Sequence, residues 1–186
     1  IVESTVSTLD EFGPAHWIGF SYSWLGNLKA RAMDGDGTAE ALRIFAEAFC
    51  LPNSFHVNGD QTGKGYSNLT YRPFTLEGNF AFASGIQEML IQSHTDYVHV
   101  FPAIPDNWQD VSFDNLRTEG AFLVSAKQHQ GTLKLIDVTS EKGGALKLKN
   151  TFEGENFRTD TPFTILDNGL IEFTMEPGEK ATLFQE

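Results

Sequence analysis

Cysteine is nearly absent from this chain of 186 residues, and the only one is Cys50. A single cysteine excludes an intrachain disulfide and any zinc site built from several thiolates. Because its neighbours Phe49 and Leu51 are apolar, we expect Cys50 to be a small buried side chain. Such crosslinks are not required, since 40% hydrophobic residues are enough for a packed core.

Basic residues are also scarce: 13 lysines and arginines stand against 25 acidic residues, for a formal net charge of −12. An acidic chain repels phosphate backbones, so we expect no nucleic-acid partner. A neutral polar ligand such as a sugar fits this charge better. The sequence has no stretch of about 18 apolar residues, which argues against a membrane-spanning helix and a membrane partner.

Histidine is rare and poorly spaced for metal binding. The sequence has no His-x-x-x-His pair of the kind that ligates zinc from one helix. Its five histidines are His16, His56, His94, His99 and His129. We expect His94 to lie at a helix end, where it complements the helix dipole. An EF-hand loop starting at Asp34 would need glycine and glutamate where Ala39 and Phe45 stand, so the sequence predicts neither a metal nor a cofactor.

Before residue 96, apolar residues recur at spacings of three and four, the period of an α-helix. The three stripes are Trp17, Phe20, Ser21, Trp24, Leu25 and Leu28; Ala41, Leu42, Phe45, Ala46 and Phe49; and Phe82, Ile86, Met89, Leu90 and Ser93. These stripes place Trp24 in the core and the third helix over about residues 80–94. Asp36 or Thr38 is available to cap the second helix. Residues 51–76 predict a long loop, and such loops are often functional.

After residue 96 the apolar spacing falls to two, which is typical of β-strands. The alternating residues are Phe122, Val124 and Ala126; Leu133 and Leu135; Leu146 and Leu148; Phe163 and Ile165; Ile171 and Phe173; and Leu183. About seven short strands separated by glycine-containing turns predict an antiparallel β-sandwich. The predicted fold is therefore a multidomain α+β protein, with helices in residues 1–95 and the sandwich in residues 96–186.

The segment Arg72–Phe80 places one carboxylate, Glu77, in a loop that leads directly into the third helix. The unpaired N–H groups at a helix start stabilise a negative charge, so Glu77 is either a helix cap or a carboxylate held ionised for catalysis. Arg72 either contacts an acidic sugar or pairs with Glu77. Among the aromatic residues, Trp17 and Phe20 have the flat faces that stack on sugar rings.

Several motifs resemble, in order along the chain, those of glycoside hydrolase family 95. They are Gly19–Trp24, Asn27–Ala32, Asp34–Asp36, Pro73–Phe80, Ser84–His94, Val100–Pro105 with Trp108, and Leu116-Arg117 with Gly120. Each motif alone is weak, but the ordered set, which runs from about Gly19 to Gly144, is specific.

This resemblance implies that the helices are the last part of an (α/α)6 barrel and that the strands form the β-sandwich after it. Members of the family are inverting α-L-fucosidases, some of which act on α-L-galactosides, and they are usually secreted by bacteria that digest glycans. The implied location is periplasmic or extracellular. The implied partners are an oligosaccharide or glycan substrate and the N-terminal remainder of the same enzyme.

The resemblance also assigns roles. In this family an aspartate of the Pro-Phe-x-x-Asp-Gly-Asn motif works with two asparagines to activate water, and its counterpart here is Glu77. The general acid and the asparagine pair lie upstream of Ile1, so the chain alone is expected to be inactive. Glutamate carries one more methylene than aspartate, which moves the carboxylate by about 1 Å, and a misplacement of that size can cost roughly 100-fold in rate.

Because the sequence departs from the family pattern at several positions, the substrate sugar can differ from fucose. Tyr71 and Arg72 replace a histidine and a proline, and Trp17–Phe20 replaces a His-Thr-Gly-Trp segment. The candidate substrate-binding residues are Trp17, Phe20, Tyr71, Arg72 and Asn79. The alternatives are a non-catalytic carbohydrate-binding or scaffold fragment, and a divergent (α/α)6 glycosidase with a different sugar specificity.

Overall fold

The computed structural model describes residues 1–186 and has an α+β architecture. The helices are α1 Val2–Phe12, α2 Gly19–Arg31, α3 Gly35–Ala48 and α4 Glu77–Leu90. The strands are β1 Ile91–Gln92, β2 His99–Val100, β3 Val111–Thr118, β4 Phe122–His129, β5 Thr132–Ser140, β6 Gly144–Lys149, β7 Phe157–Arg158, β8 Thr164–Ile165, β9 Leu170–Met175 and β10 Lys180–Gln185. No helix combines the length and the apolar character that crossing a membrane requires.

The chain divides into two compact units. One unit comprises Ile1–Met89 and Pro102–Pro105, and contains all four helices except the last residue of α4. The other comprises Leu90–Phe101 and Asp106–Glu186, and contains all of the strands. The first is called the helical unit below and the second the sheet unit.

Helix α2 buries four small residues together with Tyr22 and Leu25, whereas its largest residue, Trp24, is exposed. Its buried residues are Gly19, Tyr22, Ser23, Leu25, Gly26 and Ala30. A Cβ on Gly26 would lie 2.8 Å from Leu42 Cδ2, so the backbone of α2 approaches α3 too closely for a side chain there. The prediction that Trp24 belongs to the core is wrong, because its side chain is 41% exposed.

Helix α3 follows the predicted stripe, but its cap is a different residue. Asp34 is the N-cap and accepts a hydrogen bond of 2.8 Å from the backbone N–H of Gly37. Thr38, predicted as a possible cap, is buried and donates its hydroxyl to the Asp34 carbonyl at 2.7 Å. Of the predicted stripe, only Ala46 is exposed. Apolar spacing thus predicted the buried face of α3. It did not predict the N-cap, because that depends on the residue at which the helix begins.

Helix α4 begins and ends earlier than predicted. It starts at Glu77 and stops at Leu90, since β1 follows at once and pairs with β2 through Ile91↔Val100 and Gln92↔His99. The prediction that His94 lies at the end of this helix is therefore wrong.

The predicted long loop between α3 and α4 is confirmed, and it folds back on itself. Its two arms, residues 56–60 and 69–75, are joined by backbone hydrogen bonds of 2.8–3.3 Å. Gly59 allows this close pairing, because a Cβ there would lie 2.4 Å from the carbonyl carbon of Thr70. The loop is therefore a fixed element that leads into α4.

The sheet unit contains two larger antiparallel sheets, ordered β3-β4-β5-β10-β7 and β6-β9-β8. One hydrophobic core takes side chains from both; its fully buried members include Val124, Ile136, Leu148, Phe173 and Leu183. Most alternating residues are buried as predicted, with three exceptions. Leu135 is half-buried because a register shift between Lys127 and Gln128 of β4 turns Ile136 inward instead. Phe163 and Ile165 are 43% and 60% exposed, beside or within the two-residue edge strand β8.

Candidate active site

Glu77, the candidate catalytic residue, is the first residue of α4 and is exposed. No hydrogen bond or ion pair of its carboxylate is found in the structure, so it is not a side-chain cap with a bonded N–H partner. The adjoining side chains are apolar and also exposed, at 59% for Phe74, 41% for Leu76 and 69% for Phe80. The Glu77 carboxylate thus lies among exposed apolar side chains at the N-terminus of α4, the positive end of the helix dipole.

Four hydrogen bonds fix the backbone on both sides of Glu77. Before it, the Thr75 N–H donates to the His56 carbonyl at 3.2 Å, and Thr75 Oγ1 lies 2.8 Å from His56 Nδ1. After it, Asn79 Oδ1 accepts from the His56 N–H at 3.1 Å, and Asn79 Nδ2 donates to the Ser54 carbonyl at 2.8 Å. We call residues 54–56 and 75–79 together the Glu77 clamp.

His56 is the buried centre of this clamp. Its side chain is fully buried and its Nε2 has no hydrogen-bond partner. A Cβ on Gly19 would lie 2.3 Å from Nε2, and a Cβ on Gly78 would lie 2.5 Å from Nδ1. The imidazole therefore fills a slot between the first turns of α2 and α4, against the ring of Phe45 at a centroid distance of 5.2 Å.

This location determines the charge of the ring. Burial holds the pKa of His56 below its ordinary value, and the negative charge of Glu77 acts in the opposite direction without cancelling that effect. The two helix N-termini that face the imidazole add positive partial charge, which also disfavours the protonated form. His56 is therefore neutral at physiological pH.

Comparison with known proteins adds an independent finding. The family model described as "Glycosyl hydrolase family 95 catalytic domain" matches residues 1–90, and that described as "Glycoside hydrolase family 95, C-terminal domain" matches residues 92–183. The chain belongs to glycoside hydrolase family 95. It is also 33% identical over 144 residues to a protein of Arabidopsis thaliana named "Alpha-L-fucosidase 2", over 76% of this chain.

The chain spans 16% of the length of that relative, so it corresponds to a piece of a longer family 95 protein. The relative comes from a plant and gives no support for the expected bacterial source. The two family models meet between residues 90 and 92, whereas the sequence prediction placed the boundary after residue 95.

Two of the candidate substrate-binding residues of this family 95 chain, Tyr71 and Arg72, lie on the second arm of the long loop. Tyr71 is 45% exposed, and only its backbone carbonyl is engaged, by the Gly59 N–H at 2.9 Å. Arg72 Nε donates to Gln61 Oε1 at 2.7 Å. The suggested pairing of Arg72 with Glu77 is therefore not present, and Arg72 leaves Glu77 without a counterion.

Trp17 and Phe20 lie at the start of α2 and are half-buried. Trp17 packs edge-on against Tyr22 at a centroid distance of 5.2 Å, and the Tyr22 hydroxyl donates to the Tyr66 carbonyl at 2.7 Å. Both amide atoms of Asn79 are used by the clamp. Of the five candidate substrate-binding residues, Tyr71 has the most accessible aromatic ring for a ligand.

Sequence reasoning missed the residues that hold the loop in place. Asp60 is buried and its carboxylate accepts from the Thr62 N–H, the Thr62 hydroxyl and the Tyr66 N–H at 2.6–3.0 Å. Burial alone would raise the pKa of Asp60, but these hydrogen bonds outweigh it and hold the pKa below its ordinary value. The Asp-x-Thr spacing, which favours such a turn, was a signal that could have found it. The sequence signal for His56 was weaker: it is a polar residue between the apolar Phe55 and Val57.

The structure has no group of three or more histidine, cysteine, aspartate or glutamate side chains placed to hold a metal ion. Cys50 is half-buried, and burial raises the pKa of its thiol. What the arrangement offers chemically is a charged carboxylate on a rigid helix start, with a neutral imidazole fixing the backbone behind it.

Proposed function

We propose that the complete protein to which this chain belongs is an inverting glycoside hydrolase acting on α-L-fucosides or related α-L-glycosides, and that Glu77 activates the attacking water. Inversion needs a general acid and a base on opposite faces of the sugar, about 6.5–9.5 Å apart. Glu77 is proposed as the base. The rest of the protein would supply the acid and the two asparagines.

One observation carries this proposal: in a family 95 chain, the carboxylate at the position of the family motif is exposed, has no internal partner, and is flanked by fixed backbone. A cap would be expected to use its oxygens on the first-turn N–H groups, and Glu77 does not. The name of the plant relative supports an α-L-fucoside as the first substrate to test.

The proposal includes an architecture. The four helices would belong to the end of an (α/α)6 barrel, and the two larger sheets, which share one core, would form the β-sandwich after it. Trp17, Phe20, Tyr71, Arg72 and Asn79 stay candidates for substrate binding. A periplasmic or extracellular location stays a prediction, which cell fractionation would test.

The decisive experiment uses the complete protein and an aryl α-L-fucoside. Glu77→Gln, which keeps size and removes the charge, should lower kcat by at least about 100-fold while leaving thermal stability unchanged. Proton NMR of the first product should show the β-anomer, as inversion requires. A Glu77→Gln enzyme with full activity would remove Glu77 from the mechanism, and an initial α-anomer would exclude inversion.

A second candidate is a related glycosidase with a different sugar specificity. The observation that favours it is the combination of an exposed Tyr71 and a cationic Arg72 where the family has histidine and proline. A panel of aryl glycosides that includes α-L-galactosides and acidic sugars would separate the two. If an acidic sugar is preferred, Arg72→Gln should raise KM for that sugar and leave a neutral one unaffected.

A further inference from the structure

The clamp joins His56 to the loop around Glu77 in a way that simple packing does not require. A core histidine normally has both ring nitrogens satisfied or is replaced by an apolar residue. Here one nitrogen, Nε2, is buried without a partner, and the other is committed to a hydroxyl two residues before Glu77. Leaving a buried polar group unpaired is costly, so the retained hydrogen bond to Thr75 points to a role beyond filling space.

The geometry shows what that role can be. The backbone of His56 also contacts the loop on both sides of Glu77, through the Thr75 N–H and Asn79 Oδ1. The slot between Gly19 and Gly78 leaves the ring no room to move, since a single Cβ on either glycine would overlap it. The imidazole of His56 contacts the first turns of both α2 and α4 and is hydrogen-bonded to Thr75. It therefore fixes the first turn of α4 relative to α2.

We propose that His56 is a positioning residue that fixes the Glu77 carboxylate through the side chain of Thr75, an inference that rests on the proposed catalytic role of Glu77. Nδ1 of the uncharged imidazole and the Thr75 hydroxyl share one hydrogen bond. This bond fixes Thr75, which sets the direction from which the chain enters α4. A glutamate has one more rotatable bond than an aspartate. A fixed backbone leaves only the torsions of the Glu77 side chain itself to move the carboxylate.

The test uses the complete enzyme and the Thr75 hydroxyl, because replacing His56 itself would also leave a cavity in the core. Thr75→Val keeps the shape of the side chain and removes the hydrogen bond, whereas Thr75→Ser keeps the bond. We expect Thr75→Val to lower kcat by roughly 10- to 100-fold with KM little changed, and to lower the thermal midpoint because the buried His56 Nδ1 loses its partner. Thr75→Ser should stay within about threefold of the unmodified enzyme.

Thr132→Val is the matched control, since Thr132 lies in the sheet unit and its hydroxyl has no hydrogen bond recorded in the structure. It should leave kcat unchanged. If Thr75 has only a structural role, Thr75→Val reduces the thermal midpoint and the amount of active enzyme but leaves kcat per active site unchanged. A loss of kcat per active site that is absent in Thr75→Ser supports the positioning role. Full kcat in Thr75→Val, or equal loss in both Thr75 variants, overturns the inference.

Glu77→Gln, measured in parallel, separates this inference from the proposed function. An inactive Glu77→Gln enzyme together with full activity in Thr75→Val overturns the positioning role alone. An active Glu77→Gln enzyme overturns the role of Glu77 and the inference with it.

Discussion

Two glycines of α4 offer a sharp test of how the candidate site is packed. Gly78 and Gly85 are both buried, and each is to be replaced by alanine. At Gly78 the new Cβ would lie 2.5 Å from His56 Nδ1 and 2.8 Å from Phe45 Cε2. At Gly85 its nearest neighbours would be the two ends of Leu42, at 3.1 and 3.2 Å.

The magnitudes follow from these contacts. Alanine in place of glycine inside a helix gains about 1 kcal/mol from backbone entropy. The rings of His56 and Phe45 are almost completely buried and have nowhere to go, so Gly78→Ala should cost about 1–3 kcal/mol through overpacking. The methyl groups of Leu42 need to shift by only a few tenths of an ångström, so Gly85→Ala should be close to neutral. The expected difference is about 2 kcal/mol, or roughly a 30-fold difference in an equilibrium constant.

Hydrogen–deuterium exchange of the complete protein measures this difference where it arises. Peptides that cover α4 should exchange roughly 30-fold faster in Gly78→Ala than in Gly85→Ala. Peptides of the sheet unit should exchange equally in both and serve as the internal control. If α4 is equally protected in the two variants, His56 does not fill the slot between Gly19 and Gly78, and the description of the clamp is wrong.

Three further predictions concern stability, each read from denaturant titrations. Asp34→Ala removes the cap of α3 and should lower the unfolding free energy by about 1 kcal/mol. Ile171→Val should cost about 0.5–1.5 kcal/mol because Ile171 is fully buried, whereas Ile165→Val, at its cross-strand partner, should stay within about 0.5 kcal/mol; equal effects would contradict the burial difference. The depressed pKa of Asp60 means that its ionised form contributes stability at neutral pH, which is lost as pH falls below about 4 and through the lower pKa of the folded state. Asp60→Asn should flatten that acid loss, and an unchanged pH profile would show that the Thr62 hydrogen bonds do not favour the ionised form.

The sequence predicted the two kinds of structure in the chain because their apolar periods differ. The stripe of α3 and the alternation in β4 and β9 were correct, since large apolar residues mark those buried faces. Helix α2 was also predicted from its apolar period, but most of its buried face was not. Besides Tyr22 and Leu25, that face contains Gly19, Ser23, Gly26 and Ala30, whose small side chains carry little hydrophobic signal although they allow close approach.

The candidate site was only partly accessible to the same reasoning. Glu77 was found because it lies where a long loop leads into a predicted helix, and the family motif then assigned its role; Tyr71 and Arg72 were found because they depart from that motif. His56 was missed, since its partner Thr75 is 19 positions away and the slot that holds it is defined by two glycines on different helices. Contacts between distant segments leave no periodicity, and a bulge such as the one at Lys134 of β5, next to Leu135, shifts a period without altering composition.

The assignment of Pro102–Pro105 to the helical unit has a consequence for how this protein can be divided. Ala103 is buried with Ala30, Leu42 and Met89, and its N–H donates to the Met89 carbonyl at 3.3 Å. The chain therefore leaves the helical unit, completes β1 and β2, and returns before it enters the long sheets. Any single cut therefore divides one of the two units. A cut before β1 removes Ala103 from the helices, and a cut after Pro105 removes Val98 and Val100 from the core of the sheet unit, so exchange between relatives has to include the whole segment from Leu90 to Pro105 from one parent together with the unit it completes.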